Sequence, residues 1–191
     1  MQQKYVQAES LYKRALAINE ETLGPDHPLL ATSLNNLAEL YRMQKKYAQV
    51  ETHFKQALTI LEKTLGLNHP SVASQLNNLG AFYDTQGQYT QAEALYNRAL
   101  KIREETLGMS HPDVGIQLNN LAKLYLNSGK PLQTEPLFKR ALDITEKGLG
   151  PDHPNVATIC DNLAEFYRMT NRKAESEKFE QEAIRIRAIP R

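Results

Sequence analysis

The octet LNNLAELY that begins at Leu34 returns as LNNLGAFY from Leu76, as LNNLAKLY from Leu118 and, altered, as CDNLAEFY from Cys160. Each copy starts 42 residues after the previous one, with no insertion or deletion between them. Gly24, Gly66, Gly108 and Gly150 keep the same beat, as do the His-Pro pairs that start at His27, His69, His111 and His153. The repeat therefore includes its turns as well as its regular elements. A fixed period of this length points to an array in which each unit buries an apolar face against its neighbours, not to one central core.

Within a unit, Leu34, Leu37, Ala38 and Tyr41 form one stripe at helical spacing, and Val50, Phe54, Ala57 and Leu58 form a second. Two amphipathic helices per unit follow. Gly87, Gly129 and Asn171 suit the left-handed residue that ends the first helix, a preference from which Lys45 departs. The second helix closes at the glycine of the 42-residue beat, and Pro28, Pro70, Pro112 and Pro154 open the next one from a His-Pro entry. Counting gives about nine helices: residues 1–24 as a second helix without its first, then units 25–66, 67–108, 109–150 and 151–191 of a single array. Because Tyr5, Ala8 and Tyr12 stand where Tyr89, Ala92 and Tyr96 meet a partner helix, the array is read as starting in mid-repeat, as a piece of a longer one. Lys173, Ser176 and Glu180 give the last helix the wetter face of a terminal cap. Pro136 is expected to kink its helix without ending it.

With 23 basic and 22 acidic residues intermixed, the formal charge is +1, so no uniformly basic surface calls for nucleic acid. The polar start MQQKYVQAES is not a signal peptide, and no apolar run approaches the ~20 residues of a membrane helix. Together with the single cysteine, this gives the expectation of a cytoplasmic protein without membrane insertion. The four periodic histidines are displaced from one another along the array and cannot converge on one metal ion. His53 stands alone and is assigned to the surface. Cys160 replaces Leu34, Leu76 and Leu118 of the other units and reads as a small buried hydrophobe instead of a nucleophile. No glycine-rich phosphate loop or cysteine cluster is present, so neither a cofactor nor an enzyme is expected.

The paired asparagines are the informative polar feature. On a wheel of 100° per residue, Asn36 borders the side that meets the neighbouring repeat, whereas Asn35 shares the open face with Thr32, Glu39 and Arg42. Asn35, Asn77, Asn119 and then Asp161 would form a ladder along a groove that also holds Ser74, Ala81 and Asp84, Ile116, Lys123 and Leu126, and Thr158, Glu165 and Arg168. Carboxamides both donate and accept, so such a ladder suits the backbone of an extended peptide.

LNNLGAFY keeps Leu79, Gly80 and Tyr83 of the tetratricopeptide pattern, with Leu76 in place of its tryptophan, and Ala92 and Tyr96 match its second helix. The chain thus resembles tetratricopeptide-repeat proteins. Its 42-residue period, LGPDHP and ALYNRALKIREETLG are similar to the longer repeats of kinesin light chains. The resemblance implies an all-α, right-handed superhelical solenoid of antiparallel helix pairs. It further implies a noncatalytic protein-interaction scaffold that holds an extended peptide or a partner helix in its concave groove, a kinesin-light-chain-like cargo adaptor among the uses. The lysines with which some members clamp a carboxylate terminus are missing here, and Glu39, Asp84, Asp161 and Glu165 dilute the positive charge that an acidic cargo peptide needs. The alternative is a self-assembling architectural module that makes a homo-oligomer through Tyr5 and Tyr12 at its incomplete end.

Overall fold

A computed structural model describes residues 2–189, and the side chains of residues 5–189. Over these residues the chain is nine α-helices: α1 (Gln2–Leu23), α2 (Leu29–Met43), α3 (Tyr47–Leu65), α4 (Pro70–Thr85), α5 (Tyr89–Leu107), α6 (Pro112–Asn127), α7 (Pro131–Leu149), α8 (Pro154–Met169) and α9 (Lys173–Arg187). They fall into two compact units, Met1–Phe82 and Tyr83–Arg191. In the first, α2 lies between α1 and α3; in the second, α6 packs on α5 and α7, and α8 on α7 and α9.

The two stripes become the contact faces. In the first unit Leu34, Leu37, Ala38 and Tyr41 of α2 are buried together with Val50, Phe54 and Ala57 of α3; Leu58, expected with them, is half-buried, and Leu61 is buried in addition. In the second, Val114 and Leu118 of α6, Phe138 and Ala141 of α7, and Ile159, Leu163 and Tyr167 of α8 make one apolar cluster. Burial of these side chains, about 1.5–3 kcal/mol for each large one, is what holds helices whose own propensity is marginal.

The turns explain why glycine and histidine repeat. Gly66 and Gly108 have φ of 88° and 87°, and each donates its N–H to a carbonyl four residues back, Glu62 and Glu104, at 3.1 Å. The chain then reverses, and the histidine ring caps the next helix. Nδ1 of His27, His69, His111 and His153 accepts the N–H of Leu29, Ser71, Asp113 and Asn155 at 3.1–3.2 Å. A histidine here takes the role usually given to serine or aspartate, by satisfying one orphan amide of the first turn. In α2 the helix begins at Leu29, one residue after the expected Pro28.

The turn inside each helix pair closes with the N–H of Lys46, Lys130 and Arg172 on the carbonyls of Tyr41, Tyr125 and Tyr167, at 2.8–2.9 Å. That closure needs a left-handed residue one position earlier. Gly129 supplies it with φ 72°, Asn171 with 58°, and Lys45 adopts it too, at φ 58°. A non-glycine residue there costs about 1–2 kcal/mol, partly offset by the greater unfolded-state entropy of glycine. Lys45→Gly should therefore raise stability by about 0.5–1 kcal/mol; a lower melting temperature would show that the Lys45 side chain contributes more than the backbone costs.

One local expectation is corrected, that for Ser176, and His53 keeps part of its surface in solvent. His53 is half-buried, with its ring 5.2 Å from that of Tyr41 and Nδ1 2.7 Å from the Gln49 carbonyl oxygen. Ser176 is buried, not wet, because its hydroxyl donates to the Ala164 carbonyl at 2.9 Å. Lys173 and Glu180 are exposed as expected. Helix α7 runs on through Pro136, close enough to its start that little beyond one backbone bond is lost.

Candidate functional site

The candidate groove residues lie on α2, α4, α6 and α8. On α2, Thr32 and Asn36 are exposed, and Glu39 and Arg42 pair with each other, Nε to Oε2 at 2.8 Å. The Arg42 guanidinium holds the Glu39 carboxyl below the usual carboxylate range. On α4, Ser74 and Asn78 are exposed, and Asn77 and Ala81 are half-buried.

Asn35 is not a free ligand group. Its Nδ2 donates to Oε1 of Gln75 at 2.7 Å, while Nε2 of Gln75 donates to the Phe54 carbonyl at 3.0 Å. Gln75 is 1% exposed, so the amide chain runs from the open face of α2 through α4 to the backbone of α3. The Oδ1 of Asn35 is shielded from solvent and accepts no hydrogen bond. Around this chain lies a depression of about 350 Å³, bounded by α2, the end of α3 and the start of α4.

In the second unit the expected row is more strongly occupied. Asn119 is buried, and its Oδ1 accepts Nδ2 of Asn162 at 2.9 Å. Asp161 is tied to Arg187 of α9, and Asp84 accepts from Asn127 at 3.2 Å. Arg168 reaches Glu180 at 3.4 Å. Lys123, Thr158 and Glu165 are exposed, Ile116 is half-buried, and Leu126 is buried in the core and lines no open face.

The assignment of the two asparagines therefore changes. A first helix in the middle of an array has two neighbours, and the side that carries Asn119 faces the following one, whose Asn162 comes from the other side of its wheel. Asn36 and Asn78, expected against a neighbour, are exposed. Gln75 was missed as a site residue; the signal was its recurrence as Gln117, which likewise donates to a second-helix carbonyl, that of Tyr96, at 3.3 Å.

A second periodic feature also lay outside the sequence reading. The hydroxyls of Tyr41, Tyr125 and Tyr167 donate to Glu9, Glu93 and Glu135 of the preceding second helix at 3.1, 2.9 and 3.0 Å. Lys46, Lys130 and Arg172 reach the same carboxylates at 3.4, 2.7 and 2.8 Å, and each lies over the ring of its tyrosine. Hydrogen bonds from Lys13, then Tyr41, bring the Glu9 carboxyl down to about 2 despite partial burial. These groups hold one helix pair to the next.

Cys160 is 1% exposed, and burial first, then nearby carboxylates, pushes its thiol up to about 12. Such a group is not a thiolate at neutral pH. Tyr12, at the other end, is 40% exposed and Tyr5 is half-buried. No described helix is long and apolar enough to cross a membrane.

Comparison with known proteins agrees with the turns and helix pairs. No curated protein matches the chain. Among solved structures, BtubC (BKLC) from P. vanneervenii is similar, with a TM-score of 0.81 and 26% identity over 98% of this chain and 78% of that one. A kinesin-light-chain-like protein of Podosopora anserina, with nearly identical TPR-like repeats, gives 0.76 and 25% over 98% and 89%. A single-residue variant of that protein gives 0.79 and 25% over 98% and 88%. The tetratricopeptide-repeat family matches residues 1–63, 51–105, 71–133 and 113–188. With its helix pairs in place and that match running nearly end to end, the chain belongs to the tetratricopeptide-repeat family.

Proposed function

We propose that this chain is a noncatalytic protein-interaction scaffold that holds an extended peptide or a partner helix on the open faces of its first helices. One observation carries the reading: the depression beside Asn35, where Thr32, Ser74 and Asn78 present amides and hydroxyls that no helix of the same unit covers. Family membership supports it, because helix-pair arrays of this kind present extended surfaces to other proteins. So does the inert state of Cys160. A cargo-adaptor role in the cytoplasm is the specific form that the sequence resemblance to kinesin light chains suggests, and the similar kinesin-light-chain-like protein of Podosopora anserina supports that type.

A second reading, self-assembly through α1, is favoured by the exposed Val6, Leu11, Tyr12 and Ile18 at 64%, 67%, 40% and 48%. One experiment separates the two. A photo-crosslinking residue is placed at Thr32 in one variant and at Tyr12 in another, and the full chain is illuminated in extract from its own cell type. Capture of other proteins from Thr32, with none from Tyr12, is the expected result. Crosslinks only between copies through Tyr12 would replace the scaffold by an architectural module, and capture of nucleic acid alone would reject both.

A further inference from the structure

We infer that the depression of the first unit selects an uncharged stretch of extended peptide, anchored by one apolar side chain. This rests on the peptide-binding reading above and names the ligand chemistry. The cleft, about 350 Å³, lies near the lower end, about 300 Å³, of ligand clefts. Its apolar wall comes from Leu61 and Leu65 of α3, and its polar wall from Thr32, Asn35, Ser74 and Asn78 of α2 and α4. No residue that lines it is ionisable.

Four charges close in sequence to the lining are already paired. Asp26, two residues before Pro28, is paired with Lys63, which lies between the two wall leucines. Glu39 and Arg42, one to two turns beyond Asn35 on α2, neutralise each other. An acidic or basic ligand side chain would leave water for a cleft that offers it no counter-charge, which is unfavourable. A neutral backbone loses little, because hydroxyls and carboxamides replace its water on both the N–H and the C=O side. The Asn35 amide is already committed, since Nδ2 is engaged by Gln75 and Oδ1 is shielded from solvent, so the exposed polar groups of the wall are those of Thr32, Ser74 and Asn78. The apolar wall supplies the remaining contact, since side chains of an extended peptide alternate and every second one faces the cleft. Selection here is by exclusion of charge, with the anchor giving the grip.

The test uses the full chain, a display library of short random segments, and two variants at exposed Ser74, Ser74→Glu and Ser74→Gln. Enriched segments are expected to share a core free of Asp, Glu, Lys and Arg, with one Leu, Ile, Val or Met. A synthetic peptide of that core should bind about tenfold more weakly to Ser74→Glu, because the new carboxylate must be desolvated. Ser74→Gln, neutral and of the same size as glutamate, also loses the wall hydroxyl and should weaken binding clearly less than Ser74→Glu does. Equal loss in both variants would assign the effect to bulk and overturn charge exclusion. Enrichment of acidic or basic cores would overturn the inference and leave the scaffold reading standing. No enrichment above that given by the heat-unfolded chain would overturn both.

Discussion

Phe138→Ala should lower stability by about 3–5 kcal/mol, the effect of truncating a fully buried aromatic that cannot be replaced by collapse of its surroundings. Phe138 is 0% exposed and belongs to a cluster with Val114 and Leu118 of α6 and Ile159, Leu163 and Tyr167 of α8. Its removal therefore opens a cavity shared by three helices. Against a total of about 5–15 kcal/mol for a domain, that loss takes the second unit close to its unfolding threshold. Urea titration followed by circular dichroism should show a large fall in midpoint. In an array the loss spreads to neighbours in proportion to their coupling, so a separate early transition is expected if the two units are weakly coupled. Leu132→Ala is the control: at 92% exposure it should change stability by less than about 0.5 kcal/mol. Equal effects of the two would place the core elsewhere.

Gly115→Ala has two opposed terms, and the contact distance decides between them. Alanine inside a helix is favoured over glycine by about 1 kcal/mol, and Ala31, Ala73 and Ala157 fill the same position in the other repeats. At Gly115, however, the added methyl would lie 2.4 Å from the Thr145 hydroxyl oxygen and 3.0 Å from the Ala141 carbonyl oxygen. The carbonyl belongs to the α7 backbone and cannot turn away. Overpacking of this kind costs about 1–3 kcal/mol, so a net loss of about 1–2 kcal/mol is expected. The buried Thr145 hydroxyl has no hydrogen-bond partner. Adding Thr145→Ala should recover part of the loss by removing the closer contact without orphaning a bond. A higher melting temperature for Gly115→Ala alone would show that α6 and α7 separate at little cost.

Gly115 and Thr145 also mark where the sequence ceased to be informative. The period, the two stripes and the positive-φ glycines depend on near neighbours in the chain, and all were visible as repeated letters. Lys45 was the instructive case: its type argued against a left-handed residue, yet backbone closure by Lys46 on Tyr41 imposed one. The site was less legible. A helical wheel gives the direction of Asn35 but not the angle at which the next helix crosses, and it was this crossing that turned Asn119 toward Asn162. Gln75 and Gln117 sit at a position held by Ser33 in the first unit and Ile159 in the last, so periodicity diluted their signal. The tyrosine-glutamate contacts join residues 32 apart. That is less than one period, and no local pattern reveals it.

Those contacts limit how the gene for such a chain can change in length. Glu135 faces Tyr167 and Arg172 because 32 and 37 residues separate them; one residue more or less within the intervening helix would turn the carboxylate by about 100°. Removal of residues 94–135, one whole period, would place Glu93 at the same two separations from the same tyrosine and arginine. Insertions and deletions are therefore graded by remainder, not by size. A single codon breaks a joint, while the loss of a complete repeat rejoins matching ends, so an array of this kind lengthens and shortens in whole repeats.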